Sequence, residues 1–141
     1  METIDILKPV LAMGLLTAAV ALWMLFTRIP AMMRLKIHPQ KGQDTRKLRE
    51  HLPHEVNRVS NNYNHLFEQP TLFYVTCICI ALLGHVDSFY VYAAWAYVAL
   101  RICHSLVQGL VDIVVVRFYL FIASWVVLIV MIVREAMAVF L

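Results

Sequence analysis

Three groups of polar residues stand within or beside sequence that is otherwise apolar. Arg58, Asn61, Asn62, His65 and Gln69 follow i, i+3, i+4, i+7, i+11, one helical stripe, with Glu68 close beside it. Arg101, His104 and Gln108 follow i, i+3, i+7 and again share one face. Arg117 directly precedes the last apolar run. Ionisable side chains in such surroundings are costly and usually face a bundle interior or polar cavity, so they are functional candidates. Arginine pairs bidentately with carboxylates. Cations, amides and a carboxylate at one depth therefore suit a small anionic or zwitterionic ligand, and the apolar flanks suit a lipophilic second ligand. Plainer readings stand beside these: a solvated helix start for the first stripe, snorkelling to headgroups for Arg101, and positive-charge anchoring for Arg117.

Other chemistry finds little support. His51 and His54 flank Pro53, which breaks a helix between them, so no metal site is expected. Cys77, Cys79 and Cys103 lie in apolar runs and read as small hydrophobes rather than a disulfide framework. There is no Gly-rich phosphate loop, no serine elbow and no di-carboxylate pair.

The elements that must position these residues follow from hydropathy. The chain has 141 residues, 62% of them hydrophobic, with a mean hydropathy of +0.73. Soluble domains usually sit near ~45–50% apolar, so lipid is the expected solvent. Runs without charge extend from Pro9 to Thr27 and from Gln69 to Val86; a third starts at Ser88 and carries the Arg101 stripe, and a fourth runs from Arg117 to Val133. Each is long enough for a spanning helix of ~20 residues. The pattern predicts an all-α, integral membrane four-helix bundle with up-down-up-down topology, forming one domain over residues 1–141. The first run is expected to span rather than to be a cleaved leader, since no small-residue cleavage site precedes the basic loop. Pro70 is expected to kink the second helix.

Orientation follows from charge. Eight of the twelve Lys/Arg lie between Arg28 and Arg58, whereas the Gly84–Asp87 turn has none. The positive-inside rule places the Arg28–Val56 loop in the cytoplasm and both termini outside. The net charge of +3 is concentrated in that loop rather than over a folded face, so no nucleic-acid partner is expected. Arg134 and Glu135 fall at the outer interface, with no function expected of them.

In order and spacing these motifs resemble the MAPEG family, the membrane-associated proteins in eicosanoid and glutathione metabolism, over most of the chain. The family's second-helix motif of Arg, Asn and Glu ahead of a proline is similar to Arg58 and Asn62 before Pro70; His65 takes the Glu position and Glu68 follows three residues later. Its third-helix motif resembles Arg101-Ile102-Cys103-His104, with Gln108 where a Tyr is frequent. Its catalytic Arg matches Arg117, followed here by Phe118 where the prostaglandin synthase branch has Ser. Phe121 stands where a Tyr often contacts the ligand, and Arg34 matches a helix-one Arg that faces the site.

The resemblance implies a homotrimer with glutathione, or another low-molecular-weight thiol, held between subunits near the cytoplasmic side. It implies a transferase or peroxidase acting on lipophilic electrophiles delivered from membrane lipids. Arg117 would be the catalytic residue. Arg34, Arg58, Asn62, His65, Glu68, Arg101, His104, Gln108 and Phe121 would bind the ligand. The alternative is a non-catalytic lipid-binding or scaffold protein of the same fold; a transporter fits less well, because no inverted repeat is visible. A bacterial plasma membrane is the expected location.

Overall fold

Seven-residue recurrences decide which faces meet. Ile6, Met13 and Val20 form one buried seam on the first helix, and Phe73, Cys77 and Ile80 form another further along the chain. In a computed structural model the chain folds as α1 Thr3–Arg34, α2 Thr45–His51, α3 His54–His65, α4 Gln69–Leu83, α5 Ser88–Leu110 and α6 Val114–Phe140, with a 3₁₀ turn at Pro39–Gln43. It describes residues 1–141, apart from side-chain placement at positions 41 and 42. No strand occurs among the described residues.

The core lies between α1, α4, α5 and α6, where the seams of Ile6–Val20 and Phe73–Ile80 meet Tyr90, Ala94 and Tyr97 of α5 and Leu128 and Met131 of α6. Phe73 stacks on Tyr97 with ring centroids 4.3 Å apart. The outward faces carry large exposed apolar side chains, among them Leu15, Phe26, Leu82, Phe118 and Val126. Such an apolar exterior needs lipid or other helices around it.

Three stretches are long and apolar enough to cross a membrane: Thr3–Arg34, His54–Leu83 and Val114–Phe140. The fourth expected span is α5. Its 23 residues are sufficient in length, but it carries Arg101, His104 and Gln108, which reduce its apolarity.

Two boundaries differ from the expectation. First, α1 continues six residues past Arg28 and through Pro30, because a charge does not end a helix whose side chain finds a partner; Arg28 Nη2 donates to Ser60 Oγ on α3. It ends where Leu35 and Ile37 N–H donate to the Ala31 and Met32 carbonyls and Lys36 turns left-handed at φ 54°. Second, the predicted kink at Pro70 is a full break. Leu66–Glu68 form a turn, and α4 restarts with Pro70 in its first turn, where a missing N–H costs nothing.

Turn chemistry closes the remaining connections. Gly84 takes φ 73° at the end of α4, a left-handed position that glycine adopts without a Cβ penalty. Asp112 adopts φ 50° between α5 and α6, and its N–H donates to Val107 O at 2.6 Å. Gly109 serves packing instead: a Cβ there would stand 2.1 Å from the Trp23 ring, so the indole of α1 lies directly against the α5 backbone at that point.

Candidate functional site

The α5 seam runs Tyr90, Ala94, Tyr97, Arg101, His104, Gln108, all buried. Its apolar half and its polar half are the same stripe, so the periodicity that builds the core also turns Arg101, His104 and Gln108 inward. The α6 seam behaves alike. Buried Ser124, Leu128 and Met131 continue backward at helical spacing to Phe121 and Arg117, both half-buried.

Gln69, the first residue of α4, ties these helices together. Its Oε1 accepts from Arg101 Nη1 at 3.1 Å, with Tyr97 Oη at 3.3 Å and Ser124 Oγ at 3.0 Å. Ser124 also lies 2.8 Å from the Phe121 carbonyl, and its single proton serves one acceptor at a time. Arg101 is 1% exposed, and its Nε and Nη2 have no hydrogen-bond partner. A buried guanidinium without a carboxylate is expensive, so this position calls for an anion.

The α3 residues close over the same region. Asn62 is buried and its Nδ2 donates to Ser105 O at 3.0 Å, leaving Oδ1 without a partner. Arg58 Nε donates to Gly109 O at 3.1 Å. His65 Nδ1 lies 3.1 Å from Glu68 Oε2, and its ring stands edge-on to His104 at 6.3 Å. His104 Nδ1, Ser105 Oγ and Gln108 Oε1 are likewise buried and unpartnered.

Two cavities open beside this set and share His65 and Arg117. One, of about 220 Å³, is walled by Val114, Phe118 and Phe121 together with His65, His104 and Arg117. The other, of about 270 Å³, is lined by Arg49, Asn61, Asn64, Glu68 and Gln108 together with His65 and Arg117. The first is mostly apolar and the second mostly polar. Arg117 therefore stands at the boundary between a place for a lipophilic group and a place for a hydrogen-bonding one. Its guanidinium pairs with Asp112, whose other oxygen is 3.5 Å from His54 Nε2.

The chain matches the model of the MAPEG family over residues 6–137. It belongs to the MAPEG family. Comparison with curated proteins and with solved structures returns no match. Membership agrees with the apolar helices and makes the chain a membrane protein of the eicosanoid and glutathione metabolism kind.

Within this MAPEG chain the residues singled out by sequence do not all converge. His65, His104, Arg117 and Phe121 line the apolar cavity, and His65, Glu68, Gln108 and Arg117 line the polar one. Asn62, Arg58 and Arg101 lie behind these walls and bind to backbone or to Gln69. Arg34 is exposed in the last turn of α1 and lines neither cavity. Asp112, Arg49 and Asn64 have site positions that sequence reasoning did not assign. Asn64 lies next to the stripe it missed. Arg49 lies on α2, a helix of two turns in the polar first loop that is too short for its period to give a signal, and Asp112 lies in the α5–α6 connection.

Proposed function

We propose that this protein is a membrane-bound transferase or peroxidase that uses glutathione, or another low-molecular-weight thiol, on lipophilic electrophiles. One observation carries the reading: Arg117 and His65 border both a polar and an apolar cavity. A two-substrate reaction between a hydrophilic thiol and a membrane-soluble partner needs such a boundary. The unpartnered atoms fit a peptide-like ligand with carboxylates. Arg49 and Arg117 offer donors, Gln108 Oε1 offers an acceptor, and Glu68 offers a carboxylate for an ammonium group; Arg101 and Asn62 support these walls from behind.

When bound, the thiol supplies a nucleophilic sulfur. A free thiol near pKa ~8.5 is mostly protonated at neutral pH, and the thiolate is the reactive form. Arg117 supplies a fixed positive charge at the cavity boundary, which favours the anionic sulfur. Asp112 orients that guanidinium from behind. Gln108 positions the polar end, His104 stands with Arg117 on the apolar cavity's wall, and Phe121 with Phe118 excludes water from that side.

In this reading α5 is the fourth span of a single up-down-up-down domain. The chain assembles as a homotrimer with sites between subunits, which gives exposed Arg34 a role toward a neighbouring subunit. The first loop faces the cytoplasm of a bacterial plasma membrane. The second reading, a non-catalytic lipid-binding protein, draws on the Arg117–Asp112 pair, which already answers part of the charge. Glutathione titrated onto the detergent-solubilised protein separates them. The thiol reading expects a rise in unfolding temperature, since a ligand that binds only the folded state stabilises it. It also expects conjugation of an aryl halide. No stabilisation and no conjugation would leave the lipid-binding reading.

A further inference from the structure

A third polar cavity, of about 150 Å³, lies between α1, α2 and α3 and is lined by Met24, Arg28, Thr45, Arg49, Ser60, Tyr63 and Asn64. Its walls follow from helical spacing. Arg28 lies one turn before the buried Ala31–Met32 pair on α1, and Arg49 lies on α2 between Leu48 and Leu52, the residue that ends that helix. These four apolar residues pack with Val56 of α3 as a small separate core, with Ile37 against it. Packing of that core turns both guanidiniums toward Ser60 and Tyr63, which lie one and two turns beyond Val56.

The cavity is rich in donors and has no lining carboxylate. Arg28 Nε and Arg49 Nε are both buried with no hydrogen-bond partner. The Arg28 bond to Ser60 uses Nη2 alone. Two like charges brought to one small cavity repel, and folding tolerates that best when an anion bridges them. Guanidinium forks together with hydroxyl and amide donors match an anion with several oxygens spread around one centre, namely phosphate. Depth agrees with this, since Arg28 is the first charge after the Pro9–Thr27 apolar run, where a span meets the headgroup layer.

We propose that the Arg28–Arg49 cavity binds a phosphate group, either the headgroup of an anionic phospholipid or free inorganic phosphate. The site is distinct from the Arg117 boundary and does not depend on thiol chemistry. It shares Arg49 and Asn64 with the polar cavity, so Arg28 and Ser60 are the informative positions.

The full chain, purified in phosphate-free detergent, is titrated with inorganic phosphate while its thermal unfolding is followed, with sodium chloride at matched ionic strength as control. In parallel, the protein in phosphatidylcholine nanodiscs with and without phosphatidylglycerol is examined by native mass spectrometry for retained lipid. Stabilisation by phosphate but not chloride identifies the free anion as ligand; selective retention of phosphatidylglycerol identifies the headgroup. In either case Arg28→Gln should weaken binding by about 10–100-fold, the usual loss for one charge-assisted contact. Ser60→Ala, which keeps both charges and serves if the arginine variant does not fold, should weaken it a few-fold. Glutathione-induced stabilisation should persist in Arg28→Gln, which separates this site from the thiol site. Equal responses to phosphate and chloride with no lipid preference, or binding that both variants leave unchanged, would overturn the proposal.

Discussion

At the Gly84–Asp87 end of the helices, polar groups answer one another. Arg134 directs both Nη atoms to Asp87, at 2.9 and 2.6 Å, and its guanidinium lies 4.6 and 4.4 Å from the Phe89 and Tyr90 ring centroids. Asp87 also caps α5 by accepting from Tyr90 N–H at 3.0 Å. Glu135 accepts from Tyr90 Oη at 2.8 Å and stands 2.7 Å from His85 Nδ1. At the Arg101–Arg117 end the opposite holds. Arg101, Asn62, Gln69, His104, Ser105 and Gln108 each keep a buried polar atom without a partner, and among the described residues none of the unpartnered atoms belongs to the other end. Both ends spend helix surface on polar residues, but only one leaves them unanswered. A satisfied cluster fastens helices, and an unsatisfied one requires something further, a ligand or a neighbouring subunit.

The largest expected effect tests the unanswered end. Arg117→Ala should slow thiol conjugation by about 10–100-fold, as expected for one charge-assisted contact of roughly 1.5–3 kcal/mol. Its effect on unfolding should be smaller. Arg117→Lys should recover only part of the rate, because Lys lacks the planar fork. A lysine variant with wild-type rate and wild-type thiol titration would reduce Arg117 to an anchor and remove the contrast.

Next in size is Gly109→Ala. The added methyl would meet Trp23 Cη2 at 2.1 Å, and overpacking of this kind costs roughly 1–3 kcal/mol. Gly14 has nothing within 4 Å of its Cβ position, so Gly14→Ala should be neutral or slightly stabilising in the same melting experiment. Equal melting temperatures for the two variants would show that the Trp23 ring moves aside without cost.

Glu135→Leu tests the satisfied end. It removes the acceptor shared by Tyr90 and His85, and interhelical hydrogen bonds in membranes contribute about 0.6–1.7 kcal/mol each. The melting temperature should fall while glutathione stabilisation and conjugation stay as in the wild type. A change in ligand response would mean that this end also belongs to the site.

The smallest effect is a pH dependence at Asp87. The hydrogen bond from Arg134 holds its carboxyl below the usual carboxylate range. A depressed folded pKa means stability that is present above the unfolded value of ~3.9 and is lost as pH falls through the lower folded value. The pair is partly exposed, so the increment should be below ~1 kcal/mol. Asp87→Asn should lower stability slightly at neutral pH and flatten the acid limb of the melting curve. An unchanged limb would show that the pair contributes nothing in solution.

Much of the molecule was legible in the amino-acid sequence because hydropathy and helical period are local. Apolar runs located α1, α4 and α6, the spacing of Arg101, His104 and Gln108 predicted a common face, and the joint order of motifs carried the family that the residue 6–137 match then showed. Tertiary structure decided the rest. Whether Arg28 ends a helix depended on Ser60, 32 residues away. Whether Pro70 kinks or restarts a helix depended on the turn at Leu66–Glu68. That Arg101 is bound by Gln69 rather than lining a cavity, and that Arg117 meets Asp112, follows from contacts across helices and connections, which no period within one segment encodes. A stripe tells which side of a helix is turned inward; its partner is chosen only when another helix arrives.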